Sequence, residues 1–586
     1  MASRFWVGED IKTLVKRYLF IDRITRAGTS FFSLNIVRRV FYFACLLFFF
    51  ILVLLPTLWV LTSLFTEWNV IYNEVILNPG SMSTIIRSLG LSVAVSITIA
   101  IIDVIFGFPM AWILIRRDFR GKSALAAFID APLAVPTAGL GFSVALFWAL
   151  TPGVANKPFF SLNFVSSPFL LLVLFHFTTT FPLMVKALAA ILEEIDRNLE
   201  IAGLTCGAKK LTVIRTITLP LFRAGLATGL ILVFAKSLSD TGGVVTLLTT
   251  LKGFDLTTED TISGTVLIDI WKHPPNGAPP YLPGLSMVAI LMILISITLL
   301  VLVNLIAMKA KFNIRKVWTP MEASLSKGAA PKTYNTLTFL FFLFLVQVPA
   351  FFIFSYIFVG TPSQNVNITE FLGAVMTSFF VGGMATGIGL LFGVPIAILI
   401  TRSNNKWFSS LMDTIVNVPY IIPSAALGLS VSFFWNSFFL TLTGSNIPPS
   451  AELVLVVLSH VAMTIPYIIR NTVGAMTELD TTYEEMARSL GAKPFQVFSR
   501  VTFPAIVPAV VAGSIMAFTR SVGETGATSS VSDPQNVLTA PILIVGYVKG
   551  HLYFEAALTT IILIGCSLVL LLLVAKMSQK SRRRKE

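Results

Sequence analysis

Charge is scarce in this 586-residue chain: Asp, Glu, Lys and Arg together make up 12% of it, about half the ~25% of an ordinary soluble domain. So few ionisable groups cannot cover a water-facing surface, which excludes a soluble globular protein. Cysteine is scarcer still. Cys45, Cys206 and Cys566 lie far apart with no CxxC spacing, giving no basis for a disulfide framework or a metal site. Four scattered His do not make the metal cluster or nucleophile–base set of a membrane-embedded enzyme. The roughly 40 residues before the first apolar run are basic and interrupted, unlike a cleavable signal peptide.

Apolar sequence is abundant. Hydrophobic residues account for 55% of the chain, with 49 Phe, and mean hydropathy is +0.83. Runs long enough to span a bilayer fall at about 40–65, 86–115, 124–150, 166–190, 219–249 and 283–308. A second set falls at about 336–359, 371–401, 409–440, 451–475, 503–530 and 552–576. The expected fold is all-α and integral to the membrane, with about 12 transmembrane helices in two tandem six-helix repeats. The expected organisation is a basic N-terminal segment 1–39, a first repeat 40–310, a linker 311–335, a second repeat 336–577 and a basic tail 578–586. Within 5–30, Ile11, Leu14, Val15, Tyr18 and Leu19 alternate at helical spacing with Lys12, Lys16, Arg17 and Arg23. That pattern fits an interfacial amphipathic helix or a solvated tail.

The net charge of +14 has a topological cause. Arg38 and Arg39, Arg116 to Lys122, Lys209 to Arg215, the linker, Arg402 with Lys406, and the tail Arg582–Lys585 all flank one set of alternate loops. The other loops carry acids or nothing, as with Glu67, Glu74, Glu259 and Asp260. By the positive-inside rule both ends and the linker face the cytoplasm of a plasma or inner membrane. Attraction to anionic headgroups adds to this, and nucleic acid is not needed as a partner.

A shift of 284 positions lays residues 207–243 over 491–527 without a gap, and twelve of the 37 pairs are identical. They include Gly207/Gly491, Thr218/Thr502, Pro220/Pro504, Phe234/Phe518 and Thr241/Thr525. His176 meets His460 at the same shift, and Pro132, Pro136, Gly141 and Trp148 align upstream with Pro419, Pro423, Gly428 and Trp435. The chain is two copies of one unit. With an even number of spans each, the copies insert the same way up, related by a pseudo-twofold axis along the membrane normal.

Between the fourth and fifth spans the copies read Glu200-Ile201-Ala202 through Gly207 to Pro220, and Glu485-Met486-Ala487 through Gly491 to Pro504. Pro follows Gly by thirteen positions in both. A short helix, a Gly turn and a span entering at Pro are expected. These loops resemble the cytoplasmic loop of type I ABC importer permeases: Glu-Ala-Ala, three residues, Gly, nine residues, then hydrophobic-x-hydrophobic-Pro. Glu485, Ala487 and Gly491 match, whereas Ile201 occupies the acidic position of the first copy. The resemblance, over roughly 84–310 and 370–577, implies loops docking on separate ATPase subunits, two copies in all, and an extracytoplasmic substrate-binding protein. ATP and Mg would sit on those partners, and this chain would bind no cofactor and hydrolyse nothing itself. Gly121-Lys122-Ser123 echoes a phosphate-binding loop, but Arg116 stands where that loop needs another Gly.

Lys236 with Asp240, and Arg520 with Glu524, are ionisable pairs within the fifth spans. Intramembrane charge marks a functional site or a self-neutralised pair. His176 and His460 fit either the pathway or interhelical hydrogen bonds. The Pro pairs imply broken third spans. Gly523-Glu524-Thr525-Gly526-Ala527 resembles a segment of molybdate and sulfate permeases and more loosely of phosphate permeases, while the fused layout resembles iron(III) and thiamine permeases. The substrate expectation therefore covers iron(III) and oxyanions, with thiamine or polyamine as alternatives. An ion-coupled secondary carrier is the rival of a different class, though it needs no twin Glu/Gly/Pro loops.

Overall fold

A computed structural model describes residues 35–149, 161–162, 164–251, 262–274, 277–309, 330–361 and 367–582. The amphipathic stretch 5–30, most of the linker and the last four residues lie outside the described residues. The elements recur in order. The first repeat holds α1 (Ile36–Thr66), α2 (Pro79–Arg116), α3 (Lys122–Asp130), α4 (Thr137–Trp148) and α5 (Pro168–Glu194). It continues with α6 (Arg197–Thr205), α7 (Arg223–Ser239), α8 (Gly242–Thr250), α9 (Gly264–Lys272) and α10 (Leu282–Lys309). Their counterparts are α11 (Thr333–Phe351), α12 (Ile368–Arg402), α13 (Lys406–Ile415), α14 (Ser424–Thr443) and α15 (Glu452–Glu478). The last five are α16 (Thr481–Ser489), α17 (Phe503–Val522), α18 (Gly526–Val531), α19 (Ala540–Lys549) and α20 (Tyr553–Arg582).

Among the described residues nine helices are long and apolar enough to span a membrane, and eleven if each bent pair is one span. The shorter apolar helix Tyr553–Val569 holds the twelfth position. The architecture is two tandem six-span repeats. The third span of the first repeat bends by 101° between Ala134 and Thr137, at Pro136, whose missing N–H and fixed φ end the helix. The fifth bends by 59° between Ser239 and Gly242. Its counterpart stops at Val522 and resumes at Gly526. The apolar runs 219–249 and 503–530 conceal these breaks. The stretches 250–282 and 531–551, left between apolar runs, contain α9 and α19, whose first turns are buried. At 9 and 10 residues they fall short of the ~20 needed to span, so hydropathy assigns them to loops.

The first spans are exchanged between repeats. α1 packs on α12, α14 and α15, while α11 packs on α2, α4 and α5. Each carries a proline, Pro56 or Pro349, after which the helix loosens a backbone N–H. In a bilayer such a group must find a partner within the protein. The Val60 N–H donates to Ser430 Oγ at 2.8 Å, and the Ile353 N–H to Ser143 Oγ at 2.9 Å. Ser143 Oγ also donates to the Pro349 carbonyl at 2.7 Å. Each serine belongs to the repeat opposite the span it supports, so the proline breaks hold the two halves together.

Candidate functional site: docking loops and a central charged cavity

α6 and α16 are built alike. Asp196 Oδ1 accepts the Asn198 N–H at 2.9 Å, and Asp480 Oδ1 accepts the Thr482 N–H at 2.9 Å, each satisfying an end-of-helix donor. The Thr482 N–H, with its hydroxyl at 2.7 Å, holds the Asp480 carboxyl below its usual range. At the other end Gly207 (φ 88°) and Gly491 (φ 83°) turn the chain. Ala208 N–H reaches Gly203 O at 3.2 Å and Gly207 N–H reaches Leu204 O at 3.0 Å; Ala492 to Ala487 and Gly491 to Arg488 repeat this at 3.0 and 2.9 Å. That is a Schellman closure with a left-handed residue. A Cβ at either glycine would meet nothing within 4 Å, so backbone conformation rather than space demands glycine.

The acids that tie these helices down are Glu200 and Glu484, which correspond at the 284 shift. Both are buried. Glu200 Oε1 accepts from Arg116 Nη2 at 3.0 Å and Thr218 Oγ1 at 3.2 Å. Glu484 accepts from Arg402 Nε at 3.2 Å and Thr502 Oγ1 at 3.0 Å. Arg116 and Arg402 end α2 and α12, while Thr218 and Thr502 stand two residues before Pro220 and Pro504. Each short helix is thereby joined to the second and fifth spans as one body. Glu485 points outward and is exposed, as is Ile201 at the matching position. Ala202 is exposed and Ala487 half-buried. Leu199, Ile201 and Leu204 on α6, with Tyr483, Met486 and Leu490 at the second loop, present exposed apolar side chains.

The charged pairs meet between the repeats. Lys236 Nζ lies 2.9 Å from Asp240 Oδ2, and Arg520 pairs with Glu524. Glu524 Oε1 also accepts the Ala527 N–H at 3.1 Å. A cavity of about 210 Å³ between the halves is walled by Lys236, Arg520, Lys186, Asp130, Thr137 and Thr519, among others. Asp240 and Glu524 are buried and do not line it. The wall thus presents three cations and one acid. Lys186, near the end of α5, pairs with Asp130 at 3.0 Å. Its counterpart Arg470 pairs with Asp413 at 3.1 Å and donates to Asn417 Oδ1 at 2.6 Å. The same 284 shift that aligned the histidines aligns Lys186 with Arg470, so this second tier of charge was within reach of the sequence. Away from α6 and α16, beyond the charged pairs, the halves close on one another. A Cβ at Gly242 would meet Thr525 Oγ1 at 2.3 Å, and one at Gly526 would meet Thr241 Oγ1 at 2.5 Å. Ser424 Oγ donates to the Ser239 carbonyl at 2.9 Å.

The histidines differ. His460 bonds Ser521 Oγ through Nδ1 at 2.6 Å and Thr528 Oγ1 through Nε2 at 2.9 Å, joining α15 to α17 and α18. His176 Nδ1 is buried with no hydrogen-bond partner, while Ser237, the match of Ser521, accepts from Ser96 Oγ at 3.0 Å. Neither histidine lines the cavity.

Duplicated six-span halves, exchanged first spans and a short helix between spans four and five of each half define a two-repeat membrane protein. The sequence pattern of the binding-protein-dependent transport system inner membrane component matches residues 103–311 and 389–583. The chain belongs to that family, the type I ABC importer permeases, in two-repeat form. It is 29% identical over 249 residues to a probable sulfate transport system permease protein, cysT, of Chlorokybus atmophyticus, covering 40% of this chain and 84% of the relative. It is 30% identical over 218 residues to the molybdenum transport system permease protein ModB of Mycobacterium tuberculosis (36% and 80%), and 33% over 165 residues to ModB of Escherichia coli (28% and 72%). Family membership sets aside the ion-coupled secondary carrier.

Proposed function

We propose that this chain forms the translocation pathway of an ATP-driven importer for a small oxyanion such as sulfate or molybdate. The supporting observation is the cavity wall: Lys186, Lys236 and Arg520 face the space between the halves while Asp240 and Glu524 stay behind it. An entering anion meets net positive charge held in place by buried carboxylates, and in a low-dielectric site that attraction is strong. The sulfate and molybdenum permeases among the relatives support the same class. Iron(III), thiamine and polyamines are cations and suit such a wall less well.

Both chain ends and the linker 311–335 lie in the cytoplasm in this reading, so α6 and α16 face the cytoplasm with their exposed apolar side chains. An ATPase subunit docks on each helix, and a binding protein delivers substrate from the other side. Closure of the ATPases pulls α6 and α16. Because Glu200 and Glu484 bind the ends of α2 and α12 and the starts of the fifth spans, the pull tilts whole groups of helices. The seam at Thr241, Gly242, Thr525 and Gly526 then parts outward as the cavity closes inward, an alternation between two states biased by ligand.

The test is uptake of radiolabelled sulfate and molybdate by cells expressing the complete transporter. Arg520→Gln should lower uptake at least tenfold. The paired change Arg520→Gln with Glu524→Gln removes the unpaired buried charge, so it should regain thermal stability without regaining uptake. Recovery of uptake in the double variant would make the pair structural and remove it from the substrate path.

A further inference from the structure

The short helices α9 and α19 are seated alike and reach across alike. The Gly264 N–H, first in α9, donates to Ser92 Oγ on α2 at 2.9 Å, and the Ala540 N–H, first in α19, donates to Ser378 Oγ on α12 at 2.8 Å. Ser92 and Ser378 correspond when Pro109 and Pro395 are aligned. Each short helix therefore rides on the second span of its own repeat. Its body packs on the other repeat, α9 against α14 and α18, α19 against α4 and α8. Nine positions after each seat a polar side chain crosses the same divide. His273 Nε2 donates to the Ser529 carbonyl at 2.9 Å, and Lys549 Nζ pairs with Asp269 Oδ2 at 3.3 Å. Ser529 stands in the last turn of α18, where carbonyls have no partner further along the helix.

These crossings lie far from α6 and α16. Asp533, just beyond Ser529, donates its N–H to Glu452 Oε2 at 3.1 Å. Glu452 begins α15, whose 27 residues run about 40 Å before α16. The same number of residues separates Ser92 from Arg116 on α2 and Ser378 from Arg402 on α12, about 36 Å of helix. Arg116 and Arg402 hold Glu200 of α6 and Glu484 of α16. Each second span thus joins α6 or α16 at one end to a crossing helix at the other.

We infer that α9 and α19 form a two-armed clasp that keeps the halves closed at the end away from α6 and α16, and that α2 and α12 carry the pull that opens it. The inference rests on the two-state reading above and adds to it the parts that hold the seam shut. Lys549 is half-exposed, and such an ion pair contributes little to overall stability. One hydrogen bond to a carbonyl is similarly modest. Ties of this strength can part without unfolding either half, which a clasp requires.

Met516 lines the cavity and supplies the reporter. Met516→Cys is placed in a chain carrying Cys45→Ser, Cys206→Ser and Cys566→Ser, and intact cells are labelled with an impermeant maleimide. Labelling should be slow with the clasp intact. His273→Ala with Lys549→Gln should raise its rate at least threefold, as should Ser92→Ala with Ser378→Ala, the unfolding midpoint of the purified chain staying unchanged. Lys549→Arg, which keeps the ion pair, should label as slowly as the parent. Gly242→Ala, whose Cβ would meet Thr525 Oγ1 at 2.3 Å, wedges the seam itself and reports on the two-state reading alone. Faster labelling in Gly242→Ala but not in the clasp variant would overturn the clasp and leave that reading standing. Slow labelling in all of them would overturn both. Faster labelling in the clasp variant but not in the serine variant would overturn the part given to α2 and α12. A gain that comes only with a lowered unfolding midpoint would be loss of fold, and would overturn the clasp as well.

Discussion

The two repeats share a plan and differ where single positions have drifted. Both anchor a short helix through a buried glutamate, both turn it with a left-handed glycine, and both support the other's first span through a serine. Yet among the described residues Glu200 pairs with Arg116, whose guanidinium side chain is 9% exposed, whereas Glu484 is shared by Arg402 at 21% and Arg488 at 59%. Position 382, the match of Ser96 when Pro109 and Pro395 are aligned, is glycine; Ser521 bonds His460, whereas Ser237 bonds Ser96. Duplication fixes backbone geometry that any sequence meeting the φ and capping demands can supply. Side-chain networks diverge because one changed partner redirects a hydrogen bond.

The largest effect should separate the two anchors. Breaking a buried ion pair by removing one member costs about 3–5 kcal/mol, because the other charge stays buried without its partner. Glu200→Gln should approach that range, as Arg116 has little access to water. Glu484→Gln should cost less, since Arg402 and Arg488 are more exposed and can turn toward solvent. Thermal unfolding of the purified chain measures both, and equal losses would mean that burial of the cation does not distinguish the repeats.

A smaller difference is expected between the histidines. His460→Ala removes two hydrogen bonds between helices, each worth about 1 kcal/mol net, while His176→Ala removes a ring whose Nδ1 is already unpaired. Ser96→Ala should free Ser237 to bond His176, so His176→Ala should cost about 1 kcal/mol more in that background than alone. A double-mutant cycle by thermal or chemical unfolding reads this; strict additivity would show that Ser96 does not hold Ser237 away.

Least affected should be the outward acid. Glu485→Ala changes an exposed side chain, and surface substitutions stay within about ±0.5 kcal/mol. Its effect, if α16 docks an ATPase, should appear as weaker co-purification of that subunit with unfolding unchanged. A destabilisation comparable to that of Glu484→Gln would place Glu485 in the anchor after all.

Much of the fold was legible in the sequence. The spans, their duplication and the breaks at Pro136 and Pro423 all followed from hydropathy, the 284 shift and proline chemistry. The breaks after Ser239 and Val522 were missed because the apolar windows 219–249 and 503–530 run across them, although Ser, Thr, Gly and an acid cluster at each. The short buried helices α9 and α19 were missed for lack of length. At the loops that carry α6 and α16 the glycines and prolines were found from spacing. The inward anchor was not: the family pattern draws attention to Glu485, and only helix phase tells that Glu484, one residue earlier, points into the protein.

What the sequence alone determined is what one dimension carries: a membrane protein of two six-span copies, with short helices at fixed positions and intramembrane charge in each fifth span. Hydropathy, spacing and repetition are properties of neighbours along the chain. The tertiary structure decided that first spans are exchanged, that Ser143 and Ser430 support proline breaks in the opposite repeat, and that Lys236 and Arg520 line a cavity whose matching carboxylates lie behind them. Those facts depend on which face of a helix meets which neighbour. Two residues of opposite charge four positions apart look equivalent in sequence, and only packing decides which of them an entering ion would meet.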